Sequence, residues 1–125
     1  MAIKKFRFLE WQVYQDAQEL FSFILNVVEK LPKKYRYELG SQLVRSNFSV
    51  VLNIAEGSGK ISDAELNRFL DIALGSAYET LAASDTLIRN KLISQKDFEF
   101  IQQEVSGICD QLGGFKRKIK TINNN

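Results

Sequence analysis

The chain has 125 residues, of which 45% are apolar and 26% are charged, and its net charge is +2. This length suits one domain around one hydrophobic core, and the composition argues against intrinsic disorder. The sequence has no apolar run of about 18 residues, which excludes a transmembrane helix, and no recognisable signal peptide. We therefore expect one cytoplasmic domain over residues 1–125.

The chain contains few side chains that commonly bind metals or act as nucleophiles. The sequence has no histidine, and Cys109 is its single cysteine. Structural zinc sites need four Cys or His ligands, and di-iron bundles need Glu-x-x-His pairs. A serine nucleophile would have no histidine to activate it. We predict a protein that is not an enzyme and has no metal site, cofactor or small-molecule substrate, with Cys109 as a small buried apolar residue.

Two amphipathic helices are predicted in the first half of the chain. Apolar residues recur at spacings of three and four from Trp11 to Leu31, and Pro32 cannot continue that helix. The second helix is predicted from Glu38 to Glu56 and ends at Gly57-Ser-Gly59. Its predicted buried stripe consists of Leu39, Leu43, Phe48, Val51, Leu52 and Ala55.

Two further helices are predicted in the second half. Ser62 and Glu65 have the spacing of a capping box, which begins a third helix that runs to about Asn90. Ser94 and Asp97 repeat a helix-start pattern and begin a fourth helix. We expect a folded core over about residues 8–120 and a disordered tail over 121–125.

Short breaks between the helices favour antiparallel neighbours, and so predict an all-α, up-down-up-down four-helix bundle. The start of the first helix, the break between the second and third, and the end of the fourth then lie together. We call this part of the molecule the basic end, because it collects Lys4, Lys5, Arg7, Lys60, Lys116, Arg117, Lys118 and Lys120. These cations are either a surface for nucleic-acid phosphates or a solvated charged face.

A polar seam is predicted between the second and third helices. A turn centred near Ser62 brings complementary side chains opposite one another, in the pairs Arg45–Glu79, Ser49–Gly75, Asn53–Asp71 and Glu56–Arg68. The seam is either a groove with Glu56 and Glu79 as catalytic acids or an internal ion-pair network. The two carboxylates would lie about 16 Å apart, too far for shared acid–base chemistry, so we favour the structural interpretation.

Apolar residues outside the predicted stripes are numerous for a four-helix monomer. Clusters of such residues mark interfaces, so they favour self-association. The residues concerned are Phe23, Leu25, Val44, Val50, Ile54, Ile72, Tyr78 and Ile88.

Several short motifs at set distances resemble a known family of bacterial four-helix-bundle proteins, encoded by intervening sequences in genes for large-subunit ribosomal RNA and by free-standing genes. The resemblance covers about residues 8–115. It is carried by Leu9-Glu-Trp-Gln-Val-Tyr-Gln-Asp-Ala17, Leu31-Pro32, Gly40-Ser-Gln-Leu-Val-Arg-Ser46, Ser49, Asn53-Ile-Ala-Glu-Gly57, Arg68-Phe69-Leu70, Ala73-Leu-Gly-Ser76 and Glu79.

This resemblance implies an antiparallel four-helix bundle that assembles as a homopentameric ring. Related accessory proteins of diversity-generating retroelements bind nucleic acid together with a reverse transcriptase. We therefore hold two functional hypotheses: an oligomeric module whose basic end contacts RNA or DNA, and a protein-interaction scaffold that binds no nucleic acid. The chain departs from the family pattern in helix two, where Ser46 follows Arg45 and no proline interrupts residues 49–51.

Overall fold

The structure is a computed structural model that describes residues 5–123, with side chains described for residues 5–120. Within that range the regular elements are all helical. In chain order they are a 3₁₀ turn (Arg7–Glu10), α1 (Gln12–Glu29), the one-turn helix α2 (Lys33–Arg36), α3 (Glu38–Ser58), α4 (Asp63–Arg89) and α5 (Gln95–Asn123).

The all-α prediction is confirmed, and the four long helices lie where the apolar periodicity placed them. The polar corner after Pro32 forms one helical turn, α2, which the sequence analysis did not predict. Helix α5 extends to Asn123, so it enters the segment expected to be disordered, while residues 124–125 lie outside the described residues.

Each long helix packs against two others, in the cyclic order α1, α3, α4, α5. In the α1–α5 and α3–α4 pairs the contacts run in opposite directions along the two helices. For α1 and α5, the rings of Trp11 and Phe115 lie 5.0 Å apart at one end. At the other end, Lys30 Nζ lies 2.6 Å from Asp97 Oδ2. The four helices therefore enclose one common core.

The core is formed by aliphatic side chains from all four long helices. Leu20, Ile24, Leu43, Leu70 and Ile108 are at most 1% exposed. Complete burial of each such side chain stabilises the fold by about 1.5–3 kcal/mol. Burial of these aliphatic side chains therefore supplies most of the driving force for folding.

The predicted buried stripe of the second helix is wrong in part. Val50 and Ile54, which the sequence analysis placed outside it, are 1% and 0% exposed. Phe48 and Leu52, which it placed inside, are each 47% exposed. Apolar residues surround most of this helix, so their spacing alone could not select the face that meets its neighbours.

Both predicted helix starts are confirmed by hydrogen bonds. Ser62 Oγ accepts from the backbone N–H of Glu65 at 3.1 Å, and Ser94 Oγ accepts from that of Asp97, also at 3.1 Å. The Asp97 carboxylate additionally accepts from Lys30 Nζ, which joins the start of α5 to the end of α1. A cap of this type stabilises a helix by about 1 kcal/mol.

Gly57 allows the last turn of α3 to approach α4 closely. A Cβ atom at this position would lie 2.9 Å from Phe69 Cβ and 3.2 Å from Leu66 Cδ1. Phe69 Cβ is bonded directly to the α4 backbone and cannot move aside as the terminal methyl group of Leu66 could, so a larger residue would force the two helices apart. The glycine is therefore required by helix packing.

Three carboxylates meet where α1 packs against α5. Carboxylate oxygens of Asp16, Glu19 and Glu104 lie within 4.8 Å of one another. Both oxygens of Asp16 accept amide hydrogen bonds, from Gln12 at 2.8 Å and from Gln111 at 2.7 Å. Burial raises the pKa of Glu104, and the charges of Glu19 and Asp16 raise it further.

No helix in the described range is long and apolar enough to cross a membrane.

We expect Gly57→Ala to lower the free energy of unfolding by about 1–3 kcal/mol, because the added methyl group overpacks the contact with Phe69. Urea denaturation at one fixed protein concentration measures this loss. The matched control is Gly107→Ala in α5, where a Cβ atom would meet nothing within 4 Å. That substitution should raise stability by about 0.5–1 kcal/mol, and an equal loss in both variants would contradict the packing argument.

We expect Glu104→Gln to raise the melting temperature at pH 7. The raised pKa of Glu104 means that its ionised form destabilises the folded state, so the cost is present above the folded pKa and disappears as pH falls through it. The gain from the substitution should therefore shrink between about pH 7 and pH 4. Glu99→Gln, an exposed change on the same helix, should show no comparable dependence in parallel thermal melts.

Candidate functional site

The polar seam between α3 and α4 consists of hydroxyl groups rather than charges. Thr80 Oγ1 donates to Ser46 Oγ at 2.9 Å, and both residues are buried. The hydroxyl groups of Ser49 and Ser76 are 2.7 Å apart. Asn53 Nδ2 donates to the carbonyl and the hydroxyl of Ser49, at 2.8 and 3.1 Å. These bonds satisfy polar groups that would otherwise be costly to bury.

The predicted ion pairs across this seam are wrong. Among the described residues, no salt bridge joins Arg45 to Glu79 or Glu56 to Arg68. Arg68 Nε instead lies 3.8 Å from Oε1 of Glu65, which belongs to the same helix.

The two other predicted seam contacts also differ. Asp71 pairs with Lys116 of α5 rather than with Asn53, and Ser49 meets Ser76 rather than Gly75. The structure therefore removes the argument that the carboxylates of Glu56 and Glu79 are held in place by internal ion pairs.

A small change of register explains the difference. The bonds from Ser46 to Thr80 and from Ser49 to Ser76 place the facing residues one or two positions further along α4 than the predicted turn did. Short hydroxyl side chains then occupy the contact, and Arg45 and Glu79 remain exposed. The signal for this was present in the sequence, since Ser76, Thr80 and Ser84 recur every four residues on one helix face.

Two cations of the basic end lie beside the break between α3 and α4. Arg7 Nη2 donates to the carbonyl of Ser58 at 3.4 Å, and its guanidinium lies 5.4 Å from the Trp11 ring centroid. A cation at the last carbonyls of α3 is favoured by the helix dipole. Lys60 Nζ lies 4.8 Å from the ring centroid of Phe69. The structure thus brings the 3₁₀ turn and this break together.

Arg68 joins this group, although the sequence analysis assigned it to the seam alone. Its guanidinium carbon lies 5.2 Å from the ring centroid of Phe69, so one buried ring attracts two cations. Phe69 is held by its contact with Gly57, which connects the packing of α3 on α4 to the position of these charges.

The remaining cations of the basic end belong to α5. Lys116 is half-buried, donates to Asn67 Oδ1 at 2.9 Å and pairs with Asp71. Its charge is therefore engaged in contacts between α5 and α4. Lys118 and Lys120 are exposed, and Lys5 is exposed before the 3₁₀ turn. Lys4 lies outside the described residues.

A groove of about 530 Å³ separates the start of α4 from the end of α5. Three of the predicted cations, Lys116, Arg117 and Lys120, line it together with Asn67 and Asp63. This is the concave part of the basic end.

The opposite end of the bundle also carries cations, which the sequence analysis did not weigh. Arg36 donates to the carbonyls of Glu29 and Leu31 at 2.9 and 3.2 Å, so it closes the end of α1. Lys33, Lys34, Lys91 and Lys96 are also exposed at this end. The acidic cluster on α1 and α5 lies between the two ends. Cations therefore lie at both ends of the bundle, with the acidic cluster between them. The end opposite the basic end can serve as a control in binding experiments.

Cys109 is half-buried and packs against the core. Burial raises the pKa of its thiol, and Asp110 raises it further. The thiol is therefore protonated at neutral pH and is a poor nucleophile. The carboxylate cluster of Asp16, Glu19 and Glu104 has the ligand atoms to hold a cation, but two of its oxygens already accept bonds from Gln12 and Gln111.

Comparisons with known proteins give a family and a structural relative. Residues 10–114 match the family described as "23S rRNA-intervening sequence protein". A crystal structure of a protein of unknown function from the S23 ribosomal protein family of Bacteroides thetaiotaomicron superposes with a TM-score of 0.78. It is 28% identical and covers 83% of this chain and 97% of its own.

No curated protein matches the chain. The family match spans α1, α3 and α4 and the first two thirds of α5, and the Asn53–Gly57 motif that carries the sequence resemblance supplies the close contact between α3 and α4. The chain belongs to the 23S rRNA-intervening sequence protein family.

Proposed function

We propose that this protein is a non-enzymatic, oligomeric module of the cytoplasm that binds RNA or DNA through its basic end. The observation that carries the proposal is the gathering of Arg7, Lys60 and Arg68 around one break, beside the α5 cations at the groove. Phosphate contacts of this kind depend on charge density and need no base-reading motif. The expected ligand is therefore the nucleic-acid backbone, with little sequence preference.

Oligomerisation is part of the same proposal. Leu25, Ile72 and Tyr78 are exposed by 44%, 41% and 69%, and Phe48 and Leu52 add to this apolar surface. The family resemblance suggests a homopentamer. In a ring of parallel bundles the basic ends of all subunits lie on one side, so each added subunit increases the number of phosphate contacts that one nucleic acid can make.

A second candidate function is a protein-interaction scaffold that binds no nucleic acid. It is favoured by the pairing of Lys116 with Asp71 and of Arg68 with Glu65, which reduces the free positive charge of the basic end. The same exposed apolar residues would then contact a different protein. The two candidates differ in how binding responds to salt.

We expect the full chain to bind a labelled single-stranded RNA and a labelled DNA duplex at about 50 mM salt, with an affinity that falls steeply as salt rises. The variant Arg7→Gln, Lys60→Gln, Lys118→Gln and Lys120→Gln should lower affinity at least about tenfold and reduce the slope of log K against log salt by about three. Fluorescence anisotropy across a salt series measures both quantities.

The matched control removes the same charge from the other end, through Lys33→Gln, Lys34→Gln, Lys91→Gln and Lys96→Gln. Its affinity should stay close to that of the unmodified protein. Equal losses in both variants would mean that only net charge matters, and no binding by the unmodified protein at low salt would leave the scaffold as the better description. Circular dichroism and thermal melts confirm that both variants fold.

A further inference from the structure

The outer face of the α3–α4 pair carries four charged residues that we call the corner charges: Arg45 and Glu56 on α3, and Arg68 and Glu79 on α4. All four are exposed. Within the described part of the chain, Arg45, Glu56 and Glu79 make no ion pair. Arg68 makes one long ion pair, 3.8 Å from Glu65, and lies 5.2 Å from the Phe69 ring centroid, and its side chain is 64% exposed.

The corner charges follow the same pattern on both helices. On α3 an arginine precedes a glutamate by eleven positions, from Arg45 to Glu56, and on α4 the same spacing separates Arg68 from Glu79. Because the helices run in opposite directions, positive and negative corners alternate around the face. A face with alternating corners is complementary in charge to another copy of itself.

The hydrogen bonds of the seam fix the relative heights of these charges. Ser46 is level with Thr80, and Ser49 is level with Ser76. Arg45 therefore lies within one or two residues of the level of Glu79, which is about 3 Å at most. Glu56 and Arg68 also lie within one or two residues of the same level. The charges are matched in height but lie on the outer edges of their helices.

The surface between the corners suits close contact. Leu52 is 47% exposed and Ile72 is 41% exposed, so two large aliphatic side chains face outward. A Cβ atom at Gly75 would meet nothing within 4 Å, so this part of α4 is open. An apolar centre surrounded by charges is the usual composition of a protein–protein contact.

We propose that this face binds a second copy of the chain, with the two bundles side by side and parallel, so that the α3 edge of one meets the α4 edge of the next. Arg45 then pairs with Glu79 of the partner subunit, and Glu56 pairs with Arg68 of the partner subunit. The inference rests on the oligomeric part of the proposed function and names its contact surface. It applies to any assembly whose rotation axis is parallel to the helices.

An inverted arrangement would use different pairs. If the second copy were turned end over end, α3 would face α3, and Arg45 would meet Glu56 of the partner subunit. The two arrangements share the same surface but differ in which charges are neighbours, so exchanging one pair of charges distinguishes them.

The test measures the assembly of the full chain by sedimentation velocity from about 1 to about 100 µM. Arg45→Glu alone should weaken assembly about tenfold, because it places like charges opposite each other at the contact. Arg45→Glu combined with Glu79→Arg should restore assembly to within about threefold of the unmodified protein. Glu99→Lys, an exposed reversal on α5, is the control and should leave assembly unchanged.

Each other outcome has a distinct meaning. If the double exchange is no stronger than Arg45→Glu, the parallel pairing is wrong. If it is weaker still, the inverted arrangement is supported, because an arginine at position 79 would then face Arg68 of the partner subunit. If the unmodified protein assembles and neither reversal changes the assembly, the contact lies elsewhere, and only this inference fails. If the unmodified protein is a monomer throughout, the oligomeric part of the proposed function fails as well. Thermal melts show whether Arg45→Glu still folds.

Discussion

The contact between α3 and α4 is close because its side chains are small. Hydroxyl groups of Ser46, Ser49 and Ser76 meet across it, and Gly57 removes the Cβ atom that would otherwise strike Phe69. A contact lined by short, hydrogen-bonded side chains lets two helix axes approach more closely than one filled by leucine. That approach moves the long charged side chains to the outer edges of both helices.

Two functional features depend on this one contact. At the basic end, the Gly57 contact fixes Phe69, and the ring in turn attracts Lys60 and Arg68, so positive charge is held near the end of α3. Along the outer face, Arg45 and Glu79 make no ion pair with any residue that the structure describes. Exposed pairs in water contribute little to folding, but the same charges become useful when a second surface removes water from them. Folding and recognition therefore use different residues of the same two helices.

The sequence predicted the positions of the helices better than it predicted which side chains are buried or paired. The helices could be located from Pro32, from the Ser62 and Ser94 caps and from the three- and four-residue spacings. These signals depend only on backbone geometry and hydrogen bonding within a few residues. The buried face of α3 was partly misassigned, since Val50 and Ile54 are inside while Phe48 is outside. The pairs Arg45–Glu79 and Glu56–Arg68 failed because these side chains are exposed on the outer edges of their helices, while short hydroxyl side chains occupy the contact.

The sequence by itself determined that the chain is all-helical, where its long helices begin, and that no histidine and only one cysteine are available for chemistry. Only the tertiary structure decided which apolar face of α3 is buried and that hydroxyl groups, not ion pairs, form the α3–α4 contact. Helix formation follows from interactions within a few residues. Register and burial depend on the fit between side chains distant in the sequence, and a helix with apolar residues on most sides does not encode that choice locally.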